Sequence, residues 1–126
     1  MSTNILKRQR SKNINGKEVK IIALGALDGL TMARKLATCF IPCFKSLSSS
    51  ESFDFMGMLE LATDKLGEIE VNKIATQLFA GATVDDFPLN VDDYFAANYG
   101  EFVDFMVFAI KENFGSFFKA EIAKGV

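Results

Sequence analysis

The sequence predicts a mainly α, α+β protein: four to five amphipathic helices with a small N-terminal β-hairpin. Three features point there. Asn15-Gly16 precedes a two-residue alternation in which Val19 and Ile21 share a face, and Asn-Gly is the favoured two-residue hairpin turn because both positions must accept positive φ. From Ala26 onward, apolar residues recur at threes and fours, the period of a helix with one buried face. Seven of the thirteen phenylalanines fall between Tyr94 and Phe118, which makes the last helix the strongest element. At 126 residues the chain suits one domain with a real core. We divide it into a basic flexible arm over residues 1–12 and a single mainly helical domain over 13–126.

Each element follows from local signals. The hairpin closes near Ile22 and needs a helical layer beneath it, since two strands alone are marginal. The first helix aligns Leu27, Leu30, Ala33, Ala37, Phe40, Ile41 and Phe44, with Asp28 early and Lys45 late, as the helix dipole favours. Pro42 kinks it, or ends one helix and starts another. The run Ser46 to Ser52 is the clearest linker. A second helix from about Ser52 groups Phe53, Met56, Leu59 and Ala62, and Gly67 closes it as a left-handed cap. A third aligns Ile69 or Val71 with Ile74, Ala75 and Leu78 and stops at Gly81. The segment "TVDDFPLN" then reads as a loop or short extended piece, with Pro88 excluding a helix before it. Asn90 is an N-cap, followed by Asp92 and Asp93 in the first turn. The last helix starts near Asn98 and aligns Phe102, Val103, Met106, Ile110, Phe114 and Phe117.

That stripe leaves rings over. On a helical wheel Phe108 points into the arc of Glu101, Asp104 and Glu112, while Phe105 and Phe118 lie at the stripe's edges. Phe108 is therefore covered by another element (the third helix or the Phe87 segment) or faces a partner. The charge distribution also bears on partners. Residues 1–20 hold six cations against Glu18, a balance of +5 that leaves −7 on the rest of a chain of net charge −2. Such a chain can set its basic arm against an acidic partner, nucleic acid or its own acidic segment. The arm has no interleaved aromatics and the body behind it is acidic, which argues against nucleic acid.

Chemistry is scarce. The chain has no histidine, so the commonest general base and metal ligand is missing. Cys39 and Cys43, four apart in a helix, fit neither a disulfide framework nor a zinc site and read as small buried hydrophobes in a reduced, cytoplasmic protein. "GALDGL" has no phosphate-loop pattern. Asp85-Asp86 and Asp92-Asp93 lack the spacing of a calcium loop. No apolar run approaches the ~20 residues of a membrane span, and the apolar run after the basic N-terminus stops at Asp28 without a cleavage signature. The expectation is no catalytic residue, metal or cofactor.

The C-terminal half carries a more specific pattern. Thr83 to Leu89, Asp92 to Phe95, Tyr99-Gly100-Glu101 and Asn113-Phe114 through Phe118 resemble, in order, the "TVDG-x-PL" turn, the acidic "D-x-x-F", the "YGE" and the "NFGSFF" helix end of the tail assembly chaperones of long-tailed bacteriophages. "VKIIALGALDGLTMARKLATCFIPCFKSL" resembles more loosely the family's short strand, its "ALDGL"-like turn and a first helix running into a small-residue linker. Asp86-Phe87 replaces Gly-Lys-like residues, which places the tight turn there in question. The resemblance implies a non-enzymatic protein that binds the tape measure protein, keeps it soluble and promotes polymerisation of tail tube protein around it. It further implies a homo-oligomer of the host cytoplasm that is absent from the mature virion, and this chain would be the short form of two frameshift products. Shielding a long, sticky client calls for adaptable apolar surface; periodicity nominates Met56, Met58, Phe105, Phe108 and Phe118. The competing readings are a minor tail or connector protein retained in the virion and a basic-armed nucleic-acid regulator.

Overall fold

In the computed structural model, which describes the backbone of residues 8–48 and 55–125 and omits the side chains at 38–48, 55, 56, 58, 61 and 117–125, Asn15 and Gly16 reverse the chain with φ of 54° and 84°. They join β1 (Gln9–Ile14) to β2 (Lys17–Ile22) in full antiparallel register, Gln9 opposite Ile22 and Ile14 opposite Lys17. Alternation turns Val19 and Ile21 inward, where both are fully buried. The paired strand begins at Gln9, so residues 9–12 are not part of a flexible arm. Only one side chain of β1 faces the core, and a polar edge strand of this kind shows little hydrophobic alternation.

Four helices then follow before the last strong element is complete. Helix α1 (Ala26–Ser48) is followed by α2 (Phe55–Leu66) and α3 (Glu68–Leu78). Helix α1 continues through Pro42, so the proline does not split it; a long helix packed against two neighbours can absorb one lost hydrogen bond. Its buried face is Met32, Ala33 and Leu36, whereas Leu27 and Leu30 are exposed. The apolar residues of this helix admit two overlapping stripes, and contact with the rest of the fold selects the second. In α3 the inward choice is Val71 rather than Ile69, together with Ile74 and Leu78.

"TVDDFPLN" is a second hairpin. Strands β3 (Thr83–Val84) and β4 (Phe87–Pro88) pair with each other, and β3 pairs with β2 through Val19–Val84 and Lys20–Thr83. The sheet therefore has four strands in the order β1-β2-β3-β4, not two. Asp85 and Asp86 make the tight turn with φ of 50° and 70°, in place of glycine. Aspartate tolerates this region better than most residues, and here its side chain also bonds the sheet: Glu18 N–H donates to Asp85 Oδ1 at 2.9 Å, and Asp85 N–H to Glu18 O at 2.8 Å. Pro88 sits on the free edge, where its missing donor costs nothing to the ladder. Gly81, at φ 77°, is needed twice over: a Cβ there would stand 3.3 Å from Ile22 Cγ1.

Asn90 caps the short α4 (Val91–Tyr94), its Oδ1 accepting from Asp93 N–H at 3.1 Å. After a turn through Ala97, α5 (Tyr99–Gly125) runs between two layers, with β1 on one side and α1 and α3 on the other. A helix covered from both sides must be apolar around most of its circumference. This accounts for the phenylalanines that one stripe cannot hold. One buried cluster draws on β1, β2, β3 and on α1, α2, α3 and α5.

Candidate interaction surface

The start of α5 is clasped to the first hairpin by charge. Glu101 is 8% exposed, and Lys17 Nζ donates to its Oε1 and Oε2 at 3.0 and 3.1 Å. Asn15 Nδ2 donates to Glu101 Oε2 at 3.2 Å, so the turn residue that reverses the hairpin also ties it down. The Lys17 ammonium lies 5.2 Å from the centroid of the Tyr94 ring, a cation–π distance. Burial works to raise the Glu101 pKa, but the hydrogen bonds from Lys17 and Asn15 and the Lys17 charge outweigh it, and the net displacement is downward. Interaction with Tyr94 first, then with Glu101, raises Lys17 above the ordinary lysine value.

A second tie lies at Asn113, near the end of the described side chains of α5. Leu24 N–H, between β2 and α1, donates to Asn113 Oδ1 at 2.8 Å, and Asn113 Nδ2 donates to Ala109 O at 2.8 Å. Further polar pairs close the periphery: Lys20 with Asp86 at 3.1 Å, Arg10 with Glu112 at 3.7 Å, and Arg8 Nε with Ala23 O at 2.8 Å. Much of the basic N-terminal segment is thus set against the chain's own acidic residues and carbonyls. That was one of the three arrangements its charge asymmetry allowed.

The residues nominated for partner contact fare differently. Phe105 and Phe108 are 0% and 4% exposed, so neither presents a surface in the folded protomer. Phe105 packs among Tyr94, Phe95 and Phe79, with ring centroids 5.8, 4.8 and 6.5 Å away. Phe108 lies where residues 12–15 stand over α5, at the base of a cleft of about 550 Å³ that Val103 and Val107 also line. The wheel placed Phe108 among acids because it allowed α5 one buried side; the sheet supplies the other. The exposed Phe87 does not cover it. The side chains of Met56, Met58 and Phe118 lie outside the described residues.

The motif positions divide between ties and surface. Glu101 and Asn113 hold α5 to the sheet and to the β2–α1 connection. Phe95 and Phe114 are core, whereas Asp92, Tyr99 and Gly100 face solvent. Residues 15–125 match the family described as phage tail assembly chaperone protein, TAC. The chain belongs to that family. No curated protein and no solved structure gives a significant match to it. Among the described residues no helix is long and apolar enough to cross a membrane.

For a tail assembly chaperone the informative surface is the apolar part that the fold leaves uncovered. Among the described residues its large members are Leu27, Leu30, Ile69, Phe87 and Tyr99. None belongs to the aromatic stripe of α5. Helical period alone turns Leu27 and Leu30 inward and does not choose between Ile69 and Val71; Phe87 follows a two-residue turn at the sheet's edge. Their exposure could not be read without knowing which alternative stripe packs.

Proposed function

We propose that the chain is a non-enzymatic chaperone that binds the tape measure protein and promotes polymerisation of tail tube protein around it. It acts in the host cytoplasm, associates with copies of itself, and leaves the assembly before the virion is mature. The observation that carries this reading is the family match over residues 15–125. The exposed aliphatic and aromatic side chains on α1, α3 and the β3–β4 hairpin support it, since a client-holding protein needs apolar surface that its own fold does not cover. Met56, Met58 and Phe118 remain proposed contacts; Phe105 and Phe108 do not. The engagement of Arg8, Arg10, Lys17 and Lys20 within the fold weighs against a basic-armed nucleic-acid regulator.

Mass spectrometry of purified virions separates the chaperone from a retained tail or connector component. The proposal expects the chain in lysates of infected cells and not in mature particles. Stoichiometric recovery from finished tails would establish the structural role instead.

A further inference from the structure

The two edges of the four-stranded sheet differ in kind. At one, β4 is two residues long and includes Pro88, which blunts it. At the other, β1 is six residues long with no proline, and no described strand lies beyond it. The turn fixes which of its backbone groups are free. Ile14 and Lys17 flank a two-residue loop and face each other as a hydrogen-bonded pair, as do Lys12 with Val19 and Arg10 with Ile21. Ala23 N–H, donating to Arg8 O at 2.7 Å, continues the series. The N–H groups of Gln9, Ser11 and Asn13 therefore point away from β2, toward the open side.

Beside that edge lies the cleft of about 550 Å³ between β1 and α5, with half-buried Val103 and Val107 on its α5 side. Strand and helix run in opposite directions along it. Arg10 pairs with Glu112 at one end, and Asn15 Nδ2 donates to Asp104 Oδ2 at 3.4 Å at the other. Both acids of the cleft are thus engaged within the fold. Its two lysines, Lys12 and Lys111, are exposed, and their ammonium groups have no partner among the described residues. The charge left unanswered beside the open edge is positive.

We propose that the β1 edge takes an extended, acidic segment of a partner protein as a fifth strand. The segment's backbone bonds to the outward groups of β1, and its alternate side chains lie over Val103 and Val107. Its carboxylates meet Lys12 and Lys111 and stay clear of Asp104. A second copy of β1 is a poor occupant, because it would set Arg10 and Lys12 against the same two cations; lysine on an edge strand is a common guard against such self-pairing. The surface is separate from Leu27, Leu30, Ile69 and Phe87, and the inference does not rest on the proposed chaperone activity.

Two blocked peptides test this on the full chain. In each, threonine alternates with valine in one half and with glutamate in the other, and the two orders are both used because the added strand can run either way. Titration followed by amide NMR should show saturable shifts in β1 below about 1 mM of the better peptide. Amide exchange should slow at Gln9, Ser11 and Asn13, and not at Arg10 or Lys12, whose N–H groups already bond to β2. Lysine in place of the glutamates should weaken binding at least about fivefold, as should Lys12→Glu combined with Lys111→Glu. Ser11→Pro removes one outward N–H without touching the bonds to β2 and should weaken binding at least about tenfold; Gln9→Pro replaces it should circular dichroism show a loss of fold. Failure of both peptides to bind, binding indifferent to the proline or to the sign of the charge, or shifts confined to α1 and α3 overturns the inference. A chain that self-associates in sedimentation and returns to monomer with Ser11→Pro assigns the edge to a second copy and overturns it as well.

Discussion

Replacing Phe108 by serine distinguishes a core ring from a displayed one. The ring is 4% exposed, beneath β1 and its turn, within the buried cluster of the described residues. Truncating a fully buried phenylalanine costs about 3–5 kcal/mol, combining lost transfer free energy with the cavity left behind. A chain of 126 residues has roughly 6–19 kcal/mol of total stability at 0.05–0.15 kcal/mol per residue, so the loss is a substantial fraction of the whole. At about 3–6 °C per kcal/mol for a domain of this size, Phe108→Ser should melt roughly 9–30 °C below wild type. The same change at Phe87, three-quarters exposed, should move stability by no more than about 0.5 kcal/mol. Thermal and urea unfolding followed by circular dichroism reads both variants side by side. A Phe108→Ser protein that melts within a few degrees of wild type would refute the placement of α5 between the sheet and the helices.

Three further outcomes follow from the polar ties. Glu101 has a folded pKa below its unfolded value, so its contribution is present above the ordinary glutamate pKa of roughly 4.3 and is lost as pH falls through the folded value. Glu101→Gln should therefore be less stable than wild type near neutral pH, by about 1 kcal/mol given the half-exposed lysine, with the gap closing in acid; a gap constant from pH 7 to pH 3 in urea midpoints would contradict this. Asn113→Ala leaves the Leu24 N–H without its acceptor and should cost about 1–3 kcal/mol. Faster amide exchange at Leu24 would report the loss locally, and Asn113→Asp should recover part of the stability. Asn90→Ala removes the cap of α4 and should cost about 1 kcal/mol, read from the same unfolding curves.

The helices, the first hairpin turn and the Asn90 cap were legible because each depends on neighbours in sequence. Asn15-Gly16 can hardly do anything but reverse a pair of strands, and Gly67 and Gly81 mark ends that positive φ requires. What the residues could not convey was which elements face each other. The surplus of rings on α5 looked like exposed surface because amphipathicity was counted against one neighbouring layer. The hairpin's need for a helix beneath it and the helix's second apolar side are one fact seen from two places, and joining them locates Phe108. The β3–β4 pair was hidden by its length, two residues a strand, and by aspartates where glycine usually signals such a turn. In α1 two overlapping stripes fit the same spacing, and the one that includes Leu27 and Leu30 is not the face that packs, which is Met32, Ala33 and Leu36. The Lys17–Glu101 clasp joins residues 84 apart, and only the opposite charge of the two segments hinted at it.

Co-expression with the tape measure protein measures the proposed activity itself. The account predicts that the tape measure protein, insoluble when made alone, is recovered in the soluble fraction and co-purifies with this chain. A client that stays insoluble beside abundant, folded chain, or that is soluble without ever being bound, would contradict it.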